Sequence, residues 1–368
     1  MTIHRNPTIK YSTIFGKIEI RSPYLWVHGE GFKPLVSEMK ITHQGRSETV
    51  KRALSDFGIE CSFATAAKRF NEHYHFDISS SAVSRTTKQI AHEAIDYIEE
   101  KISNPDPEGE KTIAKVLVEL DGCEIRTAQL QLKENSKETT AVYNNPKKEK
   151  IINWRDVRLG FVRPLDSDSK TFVGKMDSYE EIVGDLYNAA KWIGMTSKTE
   201  TVGVADGAIG LSEEMKRQFP KMQFVLDKSH LKDHFYETAE KIGIREKERK
   251  KWVMNQITSI SDGKVLEILE KLGQRYDKSP NDSLKRLIGY VKRFCDAVNY
   301  NEYRDKGYPI GSGEIESAHK SVPQKRLKIP GATWHPSSIN PMLALRVLRA
   351  DDWWDDFWIQ RNQKLLAA

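Results

Sequence analysis

Apolar and polar positions alternate through the first forty residues, most clearly in TIFGKIEIRSPYLW (13–26), and GEGFKPL (29–35) has turn chemistry. Period-two alternation is the mark of strands with one face buried, so residues 1–44 are predicted to form a β-rich lead-in. The texture then changes to helix in GRSETVKRALSDFG (45–58), in SFATAAKRFNEHY (62–74) and in a long run from Ser79 to Lys101. In the last of these, Val83, Ile90, Ala94 and Ile98 fall on one face, while Ser81, Ser84, Arg85, Thr86 and Lys88 occupy the rest of the first turns. A polar helix start after two shorter helices is the arrangement of a recognition helix, which makes 45–103 a candidate helix-turn-helix with Arg85 and Lys88 facing DNA. It is equally that of a three-helix bundle, and HYHFDIS (73–79) is long for a tight turn.

The stretch NPDPEGE (104–110) has nothing apolar to bury and reads as a linker. Strand patterns follow at 114–122, 126–134 and 157–165, then helix (178–194), strand (201–207), short helix (211–219) and strand (222–227). Three meander strands followed by alternating helices and strands predict a mixed sheet covered by helices, an α/β (α+β) fold. Residues 231–300 are almost wholly helical and charged, and 306–368 opens on GYPIGSG and closes on the aromatic DDWWDDFW. The aromatics Trp353, Trp354, Phe357 and Trp358 recur at helix spacing and are expected to pack.

Composition narrows the class. The 368 residues include 38% hydrophobic and 30% charged positions with eight Trp, so the chain folds and is not mainly disordered. No stretch approaches the ~20 apolar residues that span a bilayer, and a soluble, cytoplasmic and nucleoid-associated protein is expected. Three isolated cysteines make no C-x-x-C pair. A net charge of +6 says little, but it conceals basic clusters at 147–158, 245–251 and 320–328, each able to follow phosphates or to be a solvated face.

The chemistry rests on acids. Asp121 closes the apolar run VLVEL and Asp206 closes TVGVA, each followed by glycine. A carboxylate at the tip of a buried strand is rigid yet open to solvent, as a hard cation requires, although Asp-Gly is also a turn dipeptide. In GSGEIESAHK (311–320) a glycine turn precedes a helix bearing Glu314 and Glu316. Asp121, Asp206 and Glu316 could together hold two Mg²⁺ (or Mn²⁺) ions ~4 Å apart for phosphodiester chemistry; a glutamate in a first helical turn also serves the helix dipole. A local alternative joins Asp227, His230 and His234, the two histidines being four apart on one helical face. Lys320, Lys325, Arg326, Lys328 and Trp334 follow Glu316 closely, the charges suited to phosphate and Trp334 either to an unpaired base or to a core.

The succession VELDG, VADGA, VLDKSH and GSGEIESAHKSVPQKRLKIPGATW, with TIFGKIEIRSPY before it and LALRVLRADDWWDDFW after it, resembles the DDE transposases of bacterial insertion sequences, closest to the ISKra family. The resemblance covers most of the chain. It implies an RNase H-like catalytic core interrupted by an all-helical insertion between the second aspartate and the glutamate. The corresponding blocks are a core at 111–236, an insertion at 237–305 and a completing segment at 306–368. Intervals of about 85 and about 110 residues between the three acids agree with an insertion in the second. It further implies that Asp121, Asp206 and Glu316 are the metal-binding catalytic triad, with Glu314 in reserve. Asp227 and His230 resemble a (C/D)xxH signature of structural or substrate-positioning character. The partners implied are transposon ends and target DNA, with at least a dimer on DNA and no membrane. Two other readings share these features: a domesticated transposase that only binds DNA, and an RNase H-like nuclease without strand transfer. One departure is plain. Many relatives carry a cysteine pair where this chain has YLWVHGEGFKPL, and its N-terminus is short, so a zinc ribbon is not expected and an end-binding portion is expected to be reduced.

Overall fold

The structure, a computed structural model, describes residues 2–27, 30–38, 41, 45–103, 112–132 and 148–367. The expected linker at 104–110 lies outside the described residues, as does Lys147 of the first basic cluster. Five short strands open the chain: β1 (Thr2–Arg5), β2 (Thr8–Thr13), β3 (Gly16–Arg21), β4 (Tyr24–Val27) and β5 (Glu30–Phe32). Helices α1 (Pro34–Glu38), α2 (Glu48–Glu60), α3 (Phe63–Tyr74) and α4 (Ser80–Ser103) follow. The middle of the chain is β6 (Lys115–Leu132), β7 (Lys148–Pro164), β8 (Thr171–Lys175), α5 (Tyr179–Trp192), β9 (Glu200–Ala205), α6 (Leu211–Gln218) and β10 (Gln223–Leu226). Then come α7 (Lys228–Lys241), α8 (Glu246–Ser261), α9 (Val265–Lys278), α10 (Asp282–Arg293), α11 (Tyr300–Asp305) and α12 (Gly313–His319). A π-helical turn, α13 (Lys325–Leu327), α14 (Ile339–Ala350) and α15 (Trp354–Ala367) complete it.

Contacts divide the chain into two compact units. One comprises Met1–Glu100, Ile125–Arg155 and Ser321–Ala368. In it β2 and β3 form an antiparallel hairpin and β1, β4 and β5 a small sheet. Ser47 and Ser62 start α2 and α3, each side chain accepting a hydrogen bond from the third backbone N–H beyond it. Val50, Leu54, Ala66, Phe70, Ile78 and Val83 make one cluster between α2, α3 and the start of α4. Thr86, expected on the polar face of α4, is instead buried and accepts from Arg46, and Thr87 donates to the Leu54 carbonyl. The C-terminal aromatics are core. Trp353, Trp354, Phe357 and Trp358 are buried, with Phe357 edge-on to Tyr97 of α4.

The other unit, Lys101–Glu124 with Asp156–Lys320, holds the five-stranded sheet, in the order β10-β9-β6-β7-β8. β9 runs parallel to both β6 and β10, and β7 antiparallel to β8. Residues 116–120, 201–205 and 224–226 are buried without alternation, the pattern of parallel strands covered on both faces. Helix α5 packs on β8 and α6, and α6 on β9. Between β10 and α12 the chain is helical, with α7, α8, α9 and α10 packed as neighbours.

The sheet corrects two expectations. The strands expected at 114–122 and 126–134 are one strand, β6, which passes straight through Asp121–Gly122. The dipeptide does not turn, because Gly122 lies where β7 approaches: a Cβ there would stand 2.8 Å from a carboxylate oxygen of Asp156. The third strand of the meander is therefore β8, in TFVGK, where none was predicted.

Candidate active site

Backbone pairing aligns the acids. Glu119 pairs with Val204, and Ala205 with Leu226. Continued by two residues and by one, these registers set Asp121 opposite Asp206 and Asp206 opposite Asp227, at the same edge of three adjacent parallel strands. Neighbouring strands lie ~5 Å apart, so the three residues follow one another across the strands. Asp121 and Asp206 each tie down one oxygen, Asp121 Oδ1 accepting from the Gly122 N–H at 2.7 Å and Asp206 Oδ1 from the Ala208 N–H at 3.0 Å. The turn-type contact expected of Asp-Gly is thus real at Asp206. Among the described residues the second oxygen of each has no hydrogen-bond donor. Burial raises the Asp121 carboxyl, His319 and the Gly122 N–H oppose this, and the Asp206 charge raises it further.

Helix α12 is bound to the sheet at both ends. Its first turn donates the Ile315 N–H to Glu119 Oε2 at 3.0 Å, and Ser312 gives its N–H (2.6 Å) and hydroxyl (2.7 Å) to Asp227 Oδ2. At the far end His319, buried, meets the Asp121 carbonyl oxygen through Nε2 at 3.0 Å. Glu314 and Glu316 are separated by these contacts. Glu314 is held by two nitrogens of Arg163, at 3.2 and 2.7 Å, and by Lys170 at 2.8 Å. Glu316 is exposed and lies beside Asp227 and His230, the three offering ligand atoms within 4.8 Å of one another. Among the described residues Asp121 and Asp206 are not part of this group, although the charges of both help to raise His230.

Within that group the roles differ. Asp227 caps α7, taking the His230 N–H on Oδ1 at 2.8 Å, so its two oxygens already receive three donors. Its burial would raise the carboxyl, but His230 and Ser312 outweigh this and hold it far below the usual range. The Asp227 carboxylate in turn pushes His230 up to about 9 against its burial, making it a cation at neutral pH. The two side chains face each other at 3.3 Å from Nδ1 to Oδ1 as a charge contact, since Nδ1 has no aligned hydrogen bond. His234, which the local alternative grouped with them, is used elsewhere: its ring packs on Tyr290 with centroids 4.3 Å apart. Tyr290 of α10 also covers Gly207, where a Cβ would come within 2.3 Å of the ring, and Arg293 donates to the Gly207 carbonyl. Glycine follows Asp206 because an aromatic side chain from the helical segment lies on it.

Glu119, Arg163, Ser312, Tyr290 and Arg293 escaped the sequence reading. Only Glu119 left a signal, an acid inside an otherwise apolar strand. It is fully buried, its Oε1 has no partner, and burial pushes its carboxyl up to about 8. Between an unfolded value near 4.5 and about 8 the native state keeps a proton that the unfolded state releases, so stability falls as pH rises through that window. Glu119→Gln removes this titration and retains an acceptor for Ile315. In EDTA, urea unfolding is expected to give near-equal stabilities at pH 4.5 and, at pH 8, a variant more stable by on the order of 4 kcal/mol. A variant less stable at pH 8 would mean that Glu119 is charged in the native protein.

The residues expected to face DNA divide by burial. Arg85 on α4 is exposed and Lys88 half-buried. Lys320, Lys325 and Lys328 are exposed, Lys325 paired with Glu60. Arg326 and Trp334 are core residues. Trp334 is 5% exposed, its indole N–H donates to the Leu327 carbonyl, and Arg326 stacks on it while donating to the Gly58 carbonyl at 2.7 Å. Both side chains are buried and packed on each other, so neither is open to a base or a phosphate.

No protein-family model matches the chain, and no curated protein matches it. Among solved structures it is similar to the Drosophila P element transposase strand transfer complex, with 10% identity and a TM-score of 0.39 over 85% of this chain and 95% of that one. A likeness of that degree carries no functional argument. Among the described residues, no helix is long and apolar enough to cross a membrane.

Proposed function

We propose that the chain is a metal-dependent DNA transposase of the DDE type, similar to the ISKra family, with Asp121, Asp206 and Glu316 as its catalytic acids. The observation that carries this is the alignment of Asp121 with Asp206 on adjacent parallel strands, with α12 bound to the same strand edge. The five-stranded mixed sheet, and the helical stretch between β10 and α12, support the reading of an RNase H-like core with an insertion.

The donor set suits a hard divalent cation, Mg²⁺ or Mn²⁺. Asp121 and Asp206 each keep one oxygen without a donor among the described residues, and burial, with the Asp206 charge adding to it, raises Asp121, a penalty that a cation would oppose. Asp121, Asp206 and Glu316 would hold it, with Asp227 and His230 beside Glu316. When bound, such ions lower the pKa of an attacking water or 3′-hydroxyl and stabilise the leaving oxygen. The chain's residues do the positioning. Asp227, Ser312 and Glu119 fix the start of α12 and so the place of Glu316. His319 fixes the Asp121 backbone, and Tyr290 with Arg293 fixes the turn after Asp206. Arg163 and Lys170 draw Glu314 away from Glu316.

Two further readings fit the same fold, a nuclease without strand transfer and a DNA-binding descendant without chemistry. Supplied with pre-cleaved ends bearing a free 3′-hydroxyl, and with Mg²⁺ and target duplex, the protein is expected to form joined products on gels. Cleavage of intact ends without joining indicates the nuclease, and neither reaction indicates the DNA-binding descendant. Pairing two ends calls for at least two copies of the chain on DNA.

A further inference from the structure

The first basic cluster of the sequence has no part in the site above. Its members Lys148, Lys150 and Arg155 lie on a two-stranded ribbon formed by residues 125–132 of β6 and 148–155 of β7, both within the first unit, whereas Arg158, half-buried, lies in the other unit and pairs with Asp156. Thr127 of one strand donates to the Asn153 carbonyl of the other at 3.1 Å. From Lys148 to Asp156 every residue of β7 is exposed except Ile151, which is half-buried, so neither face of this strand is covered. Alternation places Lys148, Lys150, Ile152 and Trp154 on one face and Arg155 on the other. Trp154 is 61% exposed, Ile152 43% and, on β6, Leu130 67%. Four basic residues, Arg126, Lys148, Lys150 and Arg155, stand against one acid, Glu149. Among the described residues none of the four forms an ion pair, unlike Lys325 and Arg163 elsewhere.

We propose that this ribbon is a duplex-DNA grip, its lysines on phosphates and Trp154 with Ile152 against the groove wall. Charge selects the occupant. An apolar sheet face meant for a second protein copy would be expected to lose its charges towards the centre, whereas here unpaired cations continue the row that carries the tryptophan. Shape agrees, because the major groove, about 12 Å wide, admits a two-stranded ribbon. The inference rests on the reading that the chain acts on DNA, but it concerns a surface distinct from the acids.

The test measures binding by the full chain to a 30-bp random-sequence duplex in EDTA, by fluorescence anisotropy over 50–200 mM salt, with sedimentation in parallel. Lys148→Ala/Lys150→Ala is expected to weaken binding at least tenfold at 100 mM salt, and to make the slope of log K against log[salt] shallower by about 2. Trp154→Ala is expected to weaken binding several-fold at unchanged slope. These side chains are exposed, so folding is not at stake; unchanged melting curves check this. Wild-type affinity and slope in both variants overturn the proposal. So does loss of self-association at unchanged DNA affinity, which would assign the ribbon to a second copy. If the wild type cleaves and joins DNA ends while the ribbon variants bind as it does, the ribbon alone is overturned; if the ribbon variants lose binding but no metal-dependent chemistry exists, the catalytic reading alone is.

Discussion

Asp206→Asn is expected to lower Mg²⁺-dependent end cleavage and joining by about a thousandfold or more, on the order of 4 kcal/mol in the barrier, while duplex binding in EDTA is unchanged. The substitution is close to isosteric. Asparagine keeps the oxygen that accepts from the Ala208 N–H, so the turn beneath Tyr290 is retained. What it removes is the negative charge opposite Asp121. Asp121 loses a repulsive neighbour, while the burial that chiefly raises its carboxyl stays, and a divalent cation loses an anionic ligand, which dominates in a reaction that needs metal. Rates across a Mg²⁺ titration, beside a melting curve, separate the two effects. Wild-type rates at saturating Mg²⁺ would remove Asp206 from the chemistry and with it the DDE assignment.

Substituting the two glutamates of α12 is expected to give opposite phenotypes. Glu316→Gln should reduce cleavage at least a hundredfold with little change in stability, because Glu316 is exposed and the Ser312 hydroxyl, committed to Asp227, stands 3.4 Å from it. Glu314→Gln should keep cleavage within about tenfold and instead lower stability, since Arg163 is buried and loses its carboxylate partner. Leaving one member of a buried pair without its partner costs about 3–5 kcal/mol. Arg163 retains the carbonyls of Pro164, Leu165 and Ser167 as acceptors, which places the expected loss below that range. Paired melting and cleavage measurements decide the matter; a Glu314→Gln protein that is stable but inactive would exchange the roles.

Much of this was legible along the chain. The parallel strands announced themselves as unbroken apolar runs, because strands covered on both faces have no polar alternation to keep. The β6 segment after Asp121 was misread for the opposite reason. Asp-Gly is a frequent turn, and here β6, held in the sheet between β9 and β7, runs on through it. Trp334 and Arg326 were ambiguous since an aromatic beside a cation suits a nucleic acid and a core stack equally well. Burial decides between these, and burial is a property of what packs on top, here Phe63 and the Gly58 carbonyl. The same limit applies to Thr86, polar in sequence but enclosed beside Arg46.

By itself the sequence determined most of the order of elements, the acids that close two apolar runs, and the basic stretch that enters β7, because these follow from periodicity and residue type. The tertiary structure decided which acids are neighbours. Register aligns Asp121, Asp206 and Asp227 across strands more than a hundred residues apart at the extremes, and hydrogen bonds to Glu119 and Asp227 turn α12 so that Glu316, not Glu314, faces His230. Such choices depend on contacts between distant segments, each satisfied only when the sheet has formed, and no local pattern of residues encodes them.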